Sequence, residues 1–109
     1  ETRTQRSMIV HILEATIRPK GGNIQRTLEF WKSLISLDGA FNKEGQALSR
    51  MDGENSVFII RHTFESLAEE QEFSDGFKDS QCAKKLSGEW SDYFEGPPTF
   101  HRYNVLHSY

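Results

Sequence analysis

The chain has one cysteine, three prolines, no excess of positive charge and no long apolar run, and each shortage removes a class of protein. Cys82 cannot form an internal disulfide and has no CxxC partner, which excludes a disulfide scaffold and a cysteine-rich zinc site. The formal net charge is -3, and Lys and Arg are scattered rather than gathered into a stripe, so the electrostatic footprint of a nucleic-acid binder is missing. No apolar stretch approaches the roughly 18 residues of a membrane-spanning helix. The opening "ETRTQRS" lacks the apolar centre of a secretory signal. Together these shortages predict a cytoplasmic protein that partners neither nucleic acid nor membrane.

What is present suits a compact unit. With 109 residues, 36% hydrophobic and 12% aromatic, the chain is long enough for one real core and too short for two, which predicts a single domain over residues 1–109 with 1–6 as a flexible arm. "SMIVHILEATI", residues 7–17, is a β-branched run buried on both faces, with His11 embedded in it. After the punctuation "PKGGN", Ile24, Leu28, Trp31 and Ile35 recur at helical spacing behind Asn23 as cap, predicting a helix that stops near Gly39. Phe41 to Met51 alternates weakly, as an edge strand does, and the Asp-Gly of "MDGENS" turns it into a strand from Val57 to Glu65.

Ser66 and Glu69 have capping-box spacing, and "EEQE" suits the positive end of a helix. The helical pattern runs to about Phe94, with Gly76 and Gly88 expected to divide it into two pieces before "EGPPT" ends it. "FHRYNVLHSY" then alternates as a last strand, with His101, Tyr103, Val105, His107 and Tyr109 on one face. The order strand, helix, strand, strand, helix, strand predicts an α+β, ferredoxin-like βαββαβ fold: a four-stranded antiparallel sheet with its helices on one face. That leaves the other sheet face bare, and a homodimer packed sheet to sheet is the expected remedy.

The stretches "MIVHILEATIRPKGGNIQRTLEFWKSL" and "SVFIIRHTFESLAEEQEF" resemble the first strand and helix, and the third strand feeding the second helix, of the dimeric α+β barrel superfamily. The resemblance is to its antibiotic biosynthesis monooxygenase-like and NIPSNAP-like branches. It implies a small-molecule enzyme, a cofactor-independent monooxygenase or an isomerase/cyclase acting on an aromatic or polyketide-like substrate, or else a non-catalytic ligand-binding or accessory dimer. Haem degraders of the superfamily hold iron through a histidine of the second helix, and residues 67 to 94 contain none. The family's oxygenases hold substrate with tryptophan, asparagine, tyrosine and arginine; Trp31, Asn104, Tyr103 and Arg61 are of those types.

The residues themselves raise a sharper question in "FIIRHTFES", which sets Arg61 and His62 on opposite faces of an apolar strand. A covered arginine needs a carboxylate, with Glu14 or Glu65 in reach, or an anionic ligand group. A histidine on a central strand, His62 or His11, is either a base toward a ligand or a hydrogen-bonded core residue. The enclosed face, made by Phe58, Ile60 and Phe64, favours His62 with Tyr103 as the catalytic pair. Arg61, Trp31, Asn104 and His11 are then the substrate-binding candidates. The four histidines have no recognised ligand spacing, so neither metal nor any other cofactor is expected.

Overall fold

A computed structural model describes residues 10–37, 45–53 and 55–109. Strand β1 (Val10–Pro19) is followed by a single 3-10 turn, helix α1 (Ile24–Ile35), strands β2 (Gly45–Asp52) and β3 (Asn55–Phe64), helices α2 (Leu67–Lys78) and α3 (Gln81–Tyr93), and strand β4 (Phe94–Val105). The four strands form one antiparallel sheet in the order β2-β3-β1-β4. This is the expected α+β, ferredoxin-like arrangement, with the second helical region divided in two. Met8, Ile9 and Phe41, which the sequence assigns to strands, and Gly39, the expected helix stop, lie outside the described residues.

Local chemistry explains most element ends. Gly21 and Gly22 take φ of 65° and 70°, which lets the chain leave β1 and turn at once into α1. There the Asn23 side chain accepts from Arg26 N at 3.0 Å. At the start of α2 half of the capping box is formed, with Ser66 Oγ accepting from Glu69 N at 3.1 Å, while the Glu69 carboxylate reaches one residue past the cap and accepts from Glu65 N at 2.9 Å.

The break between α2 and α3 is not at a glycine. Gly76 and Gly88 both sit inside helices, and the chain breaks at Asp79–Ser80. Ser80 Oγ donates to Phe77 O at 2.8 Å and accepts from Ala83 N at 3.1 Å, so one hydroxyl closes α2 and caps α3. An internal glycine costs a helix only about 1 kcal/mol, less than a well-placed cap can redirect.

The last strand also departs from expectation. It begins at Phe94, runs through "EGPP" and stops at Val105, short of Tyr109. Pro97 and Pro98 are tolerated because β4 is an edge strand, and their lack of N–H is absorbed by a register shift opposite Thr16–Arg18.

All three helices cover one face of the sheet. Ile17, Phe58 and Ile60 meet Phe30, Trp31, Leu34 and Phe94 in the core, with Trp31 edge-on to Phe58 at 6.1 Å between ring centroids. Cys82, fully buried, donates its thiol to Leu34 O and ties the start of α3 to the end of α1.

Candidate functional site

In an antiparallel pair, residues directly opposite each other share a face. Leu13 pairs with His62 and Ala15 with Ile60, while on the other side of β1 the partners of Leu13 and Ala15 are Arg102 and Phe100. These side chains therefore project toward the helices, and with them the sheet floors a cavity of about 290 Å³. Its floor is Leu13, Ala15, Ile17, Ile60 and His62. Trp31 of α1, Phe73 and Phe77 of α2, and Leu86 and Trp90 of α3 wall it, and Ser74, Lys78, Pro98 and Phe100 complete the lining. A second cavity of about 240 Å³, toward β2, shares Trp31, Ile60 and His62 with the first and adds Lys32 and Gln46.

His62 is the one ionisable group in the floor of the main cavity. It is 8% exposed, its ring lies 4.9 Å from that of Phe73, and desolvation by burial lowers its pKa below the ordinary 6.5. At neutral pH it is an uncharged imidazole, able to accept a proton. Its ring has room because its cross-strand neighbour is Gly45: a Cβ there would lie 2.7 Å from His62 Cδ2 and 2.9 Å from Nε2.

The φ of Gly45 is not positive, so alanine fits the backbone and strains chiefly the imidazole, with a tight 3.0 Å approach to Arg61 O. Gly45→Ala is expected to push the ring out of place at a cost of about 1–3 kcal/mol, the usual range for overpacking. By NMR titration the His62 pKa then moves back toward 6.5; an unchanged titration curve would show that Gly45 does not hold the ring.

A second polar constellation closes the far end of the same face. Glu70 of α2 is 2% exposed and accepts from Arg102 Nε at 2.9 Å. Its other oxygen lies 2.6 Å from His11 Nε2, close in distance yet off the line of a hydrogen bond, so both atoms are buried without one. His11 Nδ1 and Asn104 Oδ1 are 2.8 Å apart. His11 and Asn104 thus share the helix-facing side with His62, but they join β1, β4 and α2 to one another rather than lining the cavity.

Of the residues singled out from sequence, His62 and Trp31 meet in the cavity wall. Tyr103 does not join them: it pairs with Ile12 and points to the opposite face, 45% exposed, because the register of β4 turns Arg102 and Asn104 inward instead. The His62–Tyr103 pair is therefore not formed within the chain. Arg61 lies on that opposite face too, where its Nε donates to Glu14 Oε2 at 2.7 Å, the carboxylate pairing that the sequence allowed for it. Phe73, Phe77, Leu86 and Lys78 were not singled out from sequence as cavity residues. Phe73 and Phe77 are four apart on one helical face, a signal that marks burial without saying what is buried. Among the described residues no cluster of three or more His, Cys, Asp or Glu is placed to hold a metal, and no helix is long and apolar enough to cross a membrane.

No family model and no curated protein sequence matches the chain. Solved structures do. A protein of unknown function from Nitrosomonas europaea superposes with a TM-score of 0.62 at 18% identity, over 94% of this chain and 95% of that one. A conserved protein from Methanosarcina mazei Go1 gives 0.60 at 16% identity, over 92% and 96%. A NIPSNAP family protein from Agrobacterium tumefaciens gives 0.61 at 17% identity, over 91% and 86%. Identities this low speak for the fold alone, and they agree with the strand order and helix placement above: the chain has a ferredoxin-like α+β fold.

Proposed function

We propose that this chain is a small-molecule enzyme whose substrate occupies the cavity between sheet and helices, with His62 as the general base. The observation that carries the reading is a single buried, uncharged imidazole set in an otherwise apolar cavity floor. Such a site binds a flat, largely apolar molecule by contact area and addresses one acidic proton on it, phenolic or α to a carbonyl. Phe73, against the imidazole, and Trp31 elsewhere in the wall provide aromatic surface. This is the chemistry a cofactor-independent monooxygenase or an isomerase/cyclase needs for an aromatic or polyketide-like substrate.

The test is native mass spectrometry of the protein as purified, with a panel of phenols and enolisable ketones added to any apo fraction. The expected result is a one-to-one complex that is lost in Ala15→Phe, which fills the floor. A chain that retains and binds nothing would remove the basis of the proposal. A second reading, ligand binding without turnover, draws on the scarcity of polar groups: besides His62, only Ser74 and Lys78 among the lining residues carry polar side chains, apart from the indoles of Trp31 and Trp90.

The proposal includes a homodimer through the open sheet face. Val10, Ile12 and Thr16 of β1, Leu48 of β2 and Tyr103 of β4 lie on that side and are at least partly exposed, around Val57, Ile59 and Glu14, which are already buried within the chain. Two copies related by a two-fold axis bring like apolar rows together and set each Glu14–Arg61 pair near its mate. Light scattering at micromolar concentration is expected to give about twice 12.6 kDa. Ile12→Asp, which puts a charge in the middle of the face, should return the monomer; a wild-type monomer would refute the arrangement.

A further inference from the structure

We infer that the cavity's ligand carries a carboxylate, held at the mouth by Lys78; the inference rests on the cavity reading above and assigns the substrate class within it. Four residues of α2 line the cavity, Phe73, Ser74, Phe77 and Lys78, a single face of the helix. Lys78 lies five residues beyond Phe73, about 7.5 Å along the helix at 1.5 Å per residue. Phe73 is the ring against His62, so Lys78 marks the outer end of a path that starts at the base. The Lys78 side chain is itself mostly exposed, as is Phe100 of the same lining, which places the opening at this end.

A charge cannot follow an apolar body into walls of Leu13, Ile17, Ile60 and Leu86 without losing its hydration. It stays at the rim, and the rim supplies a cation. The Lys78 ammonium is 3.7 Å from Asp75 Oδ1, with both side chains mostly exposed, a loose pair that leaves the ammonium donors to spare. Ser74, one helical turn earlier on the same face, adds a hydroxyl donor. One ammonium and one hydroxyl match a monoanionic carboxylate; a phosphate dianion calls for more positive charge than this rim offers. The span of about 7.5 Å between Phe73 and Lys78 suits a single ring on a short chain, or two fused rings, ending in the acid.

The experiment is isothermal titration calorimetry with phenylbutyrate and with phenylbutanol, its neutral counterpart, at low and high salt. The wild-type protein is expected to prefer the acid by about two- to fivefold, the range of an exposed ion pair, with the preference shrinking as salt rises. Lys78→Ala should erase the preference of acid over alcohol, and Lys78→Arg should keep it. Equal binding of acid and alcohol by the wild type, or a preference that survives Lys78→Ala, overturns the carboxylate assignment and leaves the cavity reading standing. Binding of neither compound overturns both.

Discussion

His62→Ala is expected to abolish turnover, by about a hundredfold to ten-thousandfold as for loss of a general base, while the protein stays folded and the cavity still takes up ligand. Arg61→Ala is expected to do the reverse. It removes the partner of Glu14, a carboxylate only 8% exposed, so stability falls by about 1–3 kcal/mol, yet the cavity on the other face keeps its base. Measuring kcat, ligand affinity and urea denaturation on the two variants side by side separates the faces of β3. If ligand handling survives His62→Ala intact and vanishes with Arg61→Ala, the cavity has been assigned to the wrong face. If binding persists in His62→Ala and no turnover is found for any variant, the non-catalytic reading prevails.

The same residue gives a pH signature with a definite sign. Burial lowers the His62 pKa in the folded state below the 6.5 of the unfolded chain. The unfolded state therefore binds the extra proton first as pH falls, and acidification through 6.5 costs stability until the lowered folded pKa is passed, below which the penalty is constant. Above 6.5 the penalty is absent. His62→Gln should flatten this part of the stability curve, and the difference between the two curves isolates the contribution from that of the other titrating groups.

How far the sequence reaches is set by the range of the physics involved. Alternation in "VFIIRHTF" placed Phe58, Ile60, His62 and Phe64 together, because a strand's faces follow from its own geometry. The Asn23 cap and the Ser66–Glu69 box were legible for the same reason: their partners are within a few residues. Tyr103 was not, since alternation says only that Tyr103 and Asn104 differ in face. Which one turns inward depends on the register of β4 against β1 after a three-residue irregularity at Gly96–Pro98. The helix break at Ser80 was missed because glycine is a visible breaker, whereas a serine that caps in both directions resembles any helical serine. "EEQE" was read as charge at a helix start, and Glu69 does serve there, yet Glu70 beside it is buried against residues from both ends of the chain.

That buried carboxylate carries the largest expected effect on stability. Glu70→Ala should destabilise the fold by about 2–3 kcal/mol, because it removes the buried carboxylate that accepts from Arg102 and opens a gap beside the enclosed His11 ring 2.6 Å away. Glu69→Ala, one residue away, loses only a cap and should cost about 1 kcal/mol. The effect should also be local. Beyond Glu70, α2 meets the sheet across the cavity, through Phe73 on His62 and Phe64, so the Glu70 cluster is the polar fastening at its amino end. Hydrogen exchange in Glu70→Ala is then expected to quicken first in Leu67–Lys78 while the amides of β1 and β3 remain protected. Glu70→Gln, which keeps the shape and can both accept from Arg102 and donate to His11, should recover about half of the loss. Uniform weakening of all elements in Glu70→Ala, or a cost no greater than that of Glu69→Ala, would show that the cluster does not fasten α2, and the wall of the cavity would then be held by Phe73 and Phe77 alone.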